Sequence, residues 1–273
     1  MNRINTVEST RIRPKKSLGQ NFLVDQKSLQ KIVSAADVKY TDTVIEIGPG
    51  TGLLTKILGQ QAQSVIAVEM DHELVNMLRI KFREVPSVII IEGDARNWNP
   101  ETIELPYKVV ANLPYYAANH ILRRFLESSL PPTLLVVTVQ KEVAESIIAT
   151  KGAMRMLSIG VQVYAEPTIV GYLNPESFKP RPKVQSAIIR LDVLEIPRIS
   201  LEDREGFFDL VKAGFSSARK QLPNSLSNIY KISTSQIKET LISCGIDPKL
   251  RAQSLEIEDW KRLYQVFKRT GIC

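Results

Sequence analysis

Short apolar runs rich in Val and Ile recur along the first half of the chain, each bounded by polar or turn-forming residues. They predict buried parallel β-strands at residues 43–48, 64–69, 87–91 and 134–139, with a fifth candidate at 107–112. Between these runs the pattern becomes helical: Leu74, Leu78 and Phe82 recur every four residues after Asp71, which is well placed to cap a helix. Strands that alternate with helices predict an α/β fold with a doubly wound sheet.

The pattern changes twice toward the carboxyl end. Two strand-like runs, at 168–173 and 185–193, are joined by a proline-rich loop, which favours an antiparallel pair over a helical crossover. Beyond about residue 200 the strand-like runs stop, and helices are predicted near 203–214, 219–229, 235–243 and 256–268. We therefore expect an α/β domain over 1–199, beginning with a basic arm, and a small helical domain over 200–273.

Composition excludes several classes of protein. Of the 273 residues, 44% are hydrophobic and 24% charged, which is ordinary for a globular chain with a large core. The apolar runs are far shorter than a membrane span, and the first residues lack the apolar core of a signal peptide, so a cytoplasmic protein is expected. With only two Cys and two His, neither a disulfide framework nor a metal site is expected.

The net charge of +7 is unevenly distributed. Residues 1–31 carry seven basic and two acidic side chains, whereas residues 32–94 carry five basic and nine acidic ones. The remainder is mildly basic. This distribution favours a polyanionic partner held by the outer parts of the chain and a different ligand held by the middle. Charge alone leaves nucleic-acid binding and an ordinary lysine-rich surface equally open.

Three consecutive strand ends carry residues suited to a nucleoside ligand. The first predicted strand leads into the glycine turn, residues 46–52, in which the backbone can bend tightly and approach a ligand. Glu69 ends the second strand, where its carboxylate can accept both hydroxyls of a ribose. Asp94 follows the third strand, where it can accept a hydrogen bond from an adenine amino group. Ligands of open α/β sheets bind at this edge.

Two cofactors compete for this turn, a dinucleotide and S-adenosylmethionine. The spacing of Gly48, Gly50 and Gly52 departs from the Gly-x-Gly-x-x-Gly pattern of dinucleotide sites. The charge of Glu46, just before the glycines, would repel a pyrophosphate and suits the zwitterionic methionine end of S-adenosylmethionine. A glycine turn that merely joins strand to helix is the third interpretation, and the acidic residues at the next two strand ends disfavour it.

The tetrapeptide Asn112-Leu113-Pro114-Tyr115 ends the fourth predicted strand and indicates the chemistry. The amino group of a nucleobase is a poor nucleophile because its lone pair is delocalised into the ring. The side-chain oxygen of Asn112 and the carbonyl of Leu113 could each accept one of its N–H groups and stabilise the charge that develops during attack. Pro114 would fix the backbone, and Tyr115 offers a flat surface on which the base can stack.

Phe178 is a second aromatic candidate, within a loop that carries Pro175, Pro180 and Pro182. The prolines stiffen this loop, and neighbouring basic residues surround the ring with positive charge, a combination suited to stacking a flipped base while holding its phosphates. The alternative is that the ring fills the core beneath a rigid loop.

Taken together, these motifs resemble the ribosomal RNA adenine dimethyltransferases of the KsgA type. The resemblance covers nearly the whole chain. Its segments are Lys16–Leu23, Glu46–Gly52, Glu69, Gly93-Asp94, Asn112–Tyr115, Gln140–Glu145, the Phe178 loop, Phe215-Ser216, Arg219-Lys220 and Arg251–Leu255.

The resemblance implies a class I S-adenosylmethionine-dependent methyltransferase domain, with a Rossmann-like doubly wound sheet, followed by a small all-helical domain. It also implies that Asn21 and Leu23 contact the donor from the N-terminal arm. The candidate cofactor-binding residues are then Asn21, Leu23, Glu46, Gly48, Gly50, Gly52, Glu69, Asp94, Ala95 and Asn112. The candidate catalytic residues are Asn112, Leu113, Tyr115 and Phe178.

The implied reaction is dimethylation of N6 on two adjacent adenines near the 3′ end of small-subunit (16S) ribosomal RNA, late in subunit biogenesis. The implied partner is this RNA within an immature 30S particle, bound by a monomeric enzyme. Three alternatives stay open: an antibiotic-resistance methyltransferase of large-subunit RNA, a non-catalytic RNA-binding assembly or transcription factor, and an NAD-dependent dehydrogenase. Leu18-Gly19-Gln20 and Arg251–Leu255 favour the small-subunit group.

Overall fold

The computed structural model describes residues 14–15, 18–98, 103, 106–217 and 219–272. Most of the predicted basic arm, including Lys16 and Ser17, therefore lies outside the described residues. The strands are β1 (Phe22–Leu23), β2 (Thr43–Ile47), β3 (Ser64–Glu69), β4 (Val88–Glu92), β5 (Tyr107–Asn112), β6 (Leu134–Gln140), β7 (Ala165–Leu173), β8 (Phe178–Lys179) and β9 (Ser186–Val193). The α-helices are α1 (Gln26–Ala36), α2 (Leu53–Gln61), α3 (His72–Phe82), α4 (Ala118–Leu126), α5 (Lys141–Ile147), α6 (Met156–Gln162), α7 (Arg204–Phe215), α8 (Leu222–Tyr230), α9 (Thr234–Ser243) and α10 (Ile257–Arg269).

Seven strands form one sheet in the order β4-β3-β2-β5-β6-β9-β7. Strands β2 to β6 run parallel, whereas β9 lies antiparallel between β6 and β7. The doubly wound α/β fold and the final antiparallel pair are thus confirmed. Because the parallel strands end at the same edge, the residues that follow β2, β3, β4 and β5 meet there.

The strand positions follow the apolar runs closely because strands covered on both faces are nearly continuous apolar segments. In β6, residues Leu134 to Val139 are all buried. Strand β4 differs: it lies at the edge of the sheet, and Ile89 is half exposed, so the prediction of a buried strand at 87–91 is wrong in this respect.

Helix α3 begins as predicted, with the Asp71 side chain accepting a hydrogen bond from the Glu73 backbone N–H. Helix α1 was not predicted, although it carries the same signals. Asp25 caps its amino end, and Leu29, Ile32 and Val33 form its buried face. This helix covers the same face of the sheet as α2.

After residue 200 the described residues form helices joined by turns and loops, with no strand among them, and α7 to α10 match the four predicted helices. Their apolar residues, among them Phe207 and Trp260, continue the core that lies between the sheet and α4. The Gln253 carbonyl accepts hydrogen bonds from the backbone N–H groups of Gly152 (3.0 Å) and Met154 (3.2 Å), so the Arg251–Leu255 segment is joined directly to the α/β part.

A second, two-stranded sheet was not predicted. Strand β1 pairs antiparallel with β8, which places Leu23 opposite Phe178. This pairing brings the N-terminal segment back over the edge of the main sheet. Within the described residues, no helix combines the length and apolar character of a membrane span, and no three side chains of His, Cys, Asp or Glu are grouped so as to hold a metal ion.

Candidate active site

An open cleft lies at the edge of the sheet where the parallel strands end. Its walls come from the turns that follow β2, β3, β4 and β5, and the N-terminal segment covers it. Most of the predicted site residues line this cleft: Asn21, Gly48, Gly50, Glu69, Asp94, Ala95, Asn112, Leu113 and Tyr115.

The first two glycines of the turn face the cleft with left-handed backbone angles, φ +65° at Gly48 and +57° at Gly50. A Cβ at Gly48 would meet no atom within 4 Å, which is consistent with open cleft beside it, whereas one at Gly50 would lie 2.7 Å from the Phe22 ring. Gly52 does not line the cleft. A Cβ there would lie 2.8 Å from side-chain atoms of Leu78 and Phe82, so this glycine lets the turn pack against α3.

The Glu69 carboxylate holds the end of β3 against the glycine turn. Its Oε2 accepts the backbone N–H of Gly50 (3.2 Å), and its Oε1 accepts those of Met70 (2.9 Å) and Asp71 (3.0 Å). Burial raises the pKa of Glu69, and the three backbone N–H donors oppose that rise. Because an ionised carboxylate has about four acceptor sites, Oε2 keeps one for a ribose hydroxyl.

Asp94 faces the cleft but is paired with a neighbouring guanidinium. Nε of Arg96 lies 2.9 and 3.0 Å from the two carboxylate oxygens, and this hydrogen-bonded pair holds the pKa of Asp94 below its usual range. The same guanidinium lies 5.8 Å from the centre of the Tyr116 ring, which lines the cleft. Sequence reasoning missed Arg96 and Tyr116, although each is close in sequence to a predicted site residue.

Glu46 and Leu23 line a smaller adjoining cleft rather than the main one. Glu46 is 1% exposed, and its Oε2 has no hydrogen-bond partner within the described residues. Burial raises the pKa of this carboxyl to about 8, and the nearby charge of Glu69 adds to the rise. At neutral pH the neutral form is therefore favoured, unlike the charged side chain that the sequence argument assumes.

The Asn112–Tyr115 corner is held by hydrogen bonds from three directions. The Asn112 Nδ2 donates to the carbonyl of Asn21 (3.0 Å), and its Oδ1 accepts from the Thr138 hydroxyl. The Tyr115 hydroxyl lies 2.6 Å from Oγ of Ser186 in β9. The corner thus borders the cleft on one side and is fixed to two strands of the sheet on the other.

Phe178 does not reach the cleft. Its ring is 1% exposed and packs with Leu23 and Ile188 in the core beneath the N-terminal segment. The structure therefore places the ring as the alternative interpretation describes. Stacking on a base would require it to leave this core, and that role stays a prediction.

The N-terminal segment is bound to Asp71, two residues after Glu69, and sequence reasoning missed this contact as well. The Lys15 ammonium lies 2.7 Å from the Asp71 carboxylate, which also accepts a hydrogen bond from the Gln20 side-chain amide (2.9 Å). Asp71 is 4% exposed and caps α3 as well. No local pattern links these residues, because Lys15 and Gln20 precede Asp71 by 56 and 51 positions.

The residues present fit S-adenosylmethionine better than a dinucleotide. The cleft offers a hydrogen-bond acceptor for a ribose at Glu69 and one for an adenine amino group at Asp94. The glycine turn beside them leaves space for a ligand to approach the backbone. None of the described residues that line it is basic, so they offer a pyrophosphate no cationic partner. The fold and the site define a class I S-adenosylmethionine-dependent methyltransferase.

Comparison with known proteins narrows this class. The family model described as "Ribosomal RNA adenine dimethylase" matches residues 11–269. The chain belongs to this family, and the resemblance carried by its motifs is confirmed. It is 43% identical over 260 residues to "Ribosomal RNA small subunit methyltransferase A" of Dehalococcoides mccartyi (strain CBDB1), covering 94% of this chain and 89% of that protein. It is 41% identical to the protein of the same name from Alkaliphilus oremlandii, covering 90% and 88%.

Two solved structures share the fold over nearly their whole length. A dimethyladenosine transferase from Plasmodium falciparum superposes with a TM-score of 0.80 at 26% identity, covering 92% of this chain and 98% of that one. The 23S rRNA methyltransferase ErmE superposes with a TM-score of 0.73 at 27% identity, covering 90% and 98%.

Replacing Glu69 by Ala should weaken donor binding by about 10²-fold while leaving affinity for RNA unchanged. The substitution removes the predicted ribose acceptor and leaves three backbone N–H groups without their partner. Hydrogen bonds to a charged group contribute about 1.5–3 kcal/mol each. Calorimetry with S-adenosylmethionine measures the effect. Glu92→Ala is the matched control because Glu92 pairs with Glu69 across β3 and β4 but does not line the cleft. A loss of RNA affinity alone would contradict the assignment.

Proposed function

We propose that this chain dimethylates N6 of two adjacent adenines near the 3′ end of small-subunit ribosomal RNA, with S-adenosylmethionine as the methyl donor. The observation that carries the proposal is the position of the Asn112–Tyr115 corner, which lines the same cleft as Glu69 and Asp94. The relatives at 41–43% sequence identity are named as small-subunit methyltransferases, which supports small-subunit RNA as the substrate.

The Asn112–Tyr115 corner compensates for the weak nucleophilicity of an amino group on a purine. When bound, S-adenosylmethionine supplies an electrophilic methyl group. Oδ1 of Asn112 and the carbonyl of Leu113 accept the two N–H groups of the adenine, which favours the pyramidal form of the nitrogen and stabilises its developing positive charge. The Tyr115 ring provides a stacking surface, and its hydroxyl is held by Ser186. No general base is needed before transfer because the neutral amino group attacks with its own lone pair, and the methylated nitrogen then releases one proton to water.

The alternative functions are less well supported. A large-subunit methyltransferase is the nearest of them, since the ErmE structure shares the fold at 27% identity, but the small-subunit relatives are at 41–43%. The hydrogen-bonded Asn112 and the acidic Glu69 favour an enzyme over an RNA-binding factor that has lost catalysis.

We also propose how the RNA is bound. The basic arm and the helical domain over 200–273 would hold phosphates on either side of the corner, so that a monomer acts on an immature small-subunit particle in the cytoplasm. The charge distribution along the chain supports this arrangement. Phosphate contacts of this kind make binding steeply salt-dependent.

Mass mapping of ribosomal RNA tests the function. Cells that lack this chain should carry two unmethylated adenines near the 3′ end of their small-subunit RNA. Adding the purified chain and S-adenosylmethionine to their immature small subunits should convert both to the dimethylated form. Methylation of large-subunit RNA instead, or of neither RNA, would contradict the proposal.

A further inference from the structure

Thr138 places a hydroxyl within the otherwise apolar run of β6, and the proposed function assigns this residue no role. Its side chain is completely buried, between Val137 and Val139 in the strand. Buried hydroxyl groups are almost always hydrogen-bonded, and the partner of this one is Oδ1 of Asn112. The contact arises because β5 and β6 are parallel neighbours in which Asn112 lies opposite Thr138.

The contacts of the Asn112 amide define which end of it is the oxygen. Nδ2 lies 3.0 Å from the Asn21 carbonyl, which can only accept a hydrogen bond, so the amide nitrogen must face that side. The oxygen then faces Thr138, whose hydroxyl can donate to it. If the amide were reversed, two oxygens would face each other at the Asn21 carbonyl.

Thr138 also contacts the backbone of the second residue of the corner. The backbone N–H of Leu113 donates to the Thr138 carbonyl at 3.3 Å, which holds the Asn112–Leu113 peptide that precedes the Leu113 carbonyl. Through its side chain and its backbone, Thr138 therefore contacts both residues whose oxygens face the reacting amine. An amide oxygen has two lone pairs, so the hydrogen bond from Thr138 leaves one on Asn112 Oδ1 for an adenine N–H.

We propose that Thr138 is a positioning residue for methyl transfer, whose hydroxyl holds the Asn112 amide in the orientation that the adenine amino group requires. The inference rests on the proposed function. A small misplacement of a reacting or stabilising group can slow a reaction by about 10²-fold, so a residue that touches no substrate can still control the rate.

Thr138→Val tests the hydroxyl directly because valine has nearly the same shape. We expect kcat to fall by about 10–10²-fold, with the Kd for S-adenosylmethionine within about threefold of wild type. Thr138→Ser, which keeps the hydroxyl, should return kcat to within about threefold. The matched control is Thr133→Val, just before the other end of β6, which also loses a hydroxyl hydrogen bond, to the Tyr107 carbonyl at 3.2 Å, and should leave kcat unchanged.

A double-mutant cycle separates positioning from general packing. In the Asn112→Ala background, Thr138→Val should slow transfer by less than about twofold further, since the amide that it orients is gone. A loss that multiplies with that of Asn112→Ala, or a kcat for Thr138→Val within twofold of wild type, would overturn the proposal. If the valine variant does not fold, Thr138→Ala and Thr138→Ser carry the same comparison, and full activity in the alanine variant overturns it.

A readout without catalysis keeps this test independent of the proposed function. The side-chain NH₂ signals of Asn112, identified by their loss in Asn112→Ala, should be well resolved in wild type and Thr138→Ser. In Thr138→Val they should move toward the positions of a freely rotating amide. Unchanged signals would overturn the proposed orientation, whether or not ribosomal RNA proves to be the substrate.

Discussion

Replacing Asn112 by Ala is expected to slow methyl transfer by about 10²–10³-fold while donor affinity stays nearly unchanged. The substitution removes one of the two acceptors proposed to face the adenine amino group, and with it the proposed stabilisation of charge that develops only during transfer. The groups proposed to hold the nucleoside are Glu69 at the end of β3 and Asp94 just after β4, and both remain in place. Single-turnover rates at saturating S-adenosylmethionine, with calorimetry for its Kd, measure the two effects separately.

The control for this variant is Asn119→Ala, an exposed position in the first turn of α4 a few residues beyond the corner. It should leave both rate and affinity as in wild type. Equal turnover in Asn112→Ala and wild type would remove Asn112 from its assigned role. An equally large loss of donor affinity would show that the residue chiefly binds the donor.

Replacing Glu46 by Gln should make the folded chain less sensitive to alkaline pH. In wild type, burial raises the pKa of Glu46 from its ordinary 4.5 to about 8, so folding opposes ionisation of this carboxyl. The contribution of the neutral carboxyl to the free energy of unfolding is fully present below pH 4.5 and is lost as the pH rises through about 8. A pKa difference of this size corresponds to up to about 5 kcal/mol in the free energy of unfolding.

Urea unfolding at pH 5, 7 and 9 measures this effect. The free energy of unfolding of wild type, relative to that of Glu46→Gln, should fall as the pH increases. Glu84→Gln is the matched control because that side chain is 83% exposed. A constant difference between wild type and Glu46→Gln across this range would show that Glu46 ionises in the folded chain as it does in water.

The parts of the fold that were predictable are those encoded by local patterns. Parallel strands covered on both faces are continuous apolar runs, and Asp71 marks the start of α3 next to a clear helical spacing. The β1–β8 pair could not be found in this way. Each strand has two residues, and the register that places Leu23 opposite Phe178 joins segments more than 150 residues apart.

The same distinction applies to the site. Glu69 and Asp94 could be placed because residues that follow parallel strands meet at one edge. The burial of Phe178 and of Glu46 depends on neighbours from other segments. Sequence alone therefore left open whether the Phe178 ring stacks on a base or fills the core, and it did not indicate that the Glu46 carboxyl is neutral at pH 7. The proposed role of Thr138 could not be predicted for a related reason. It depends on the contact with Asn112, and only the register of β5 and β6 shows that the two residues are neighbours.

A crystal structure of the chain with S-adenosylhomocysteine bound tests the central claim most directly. The account predicts a ribose hydroxyl in hydrogen-bond contact with Glu69, the adenine amino group near Asp94, and the sulfur directed toward Asn112 and Tyr115. A nucleoside bound elsewhere, or a sulfur directed away from that corner, would contradict it.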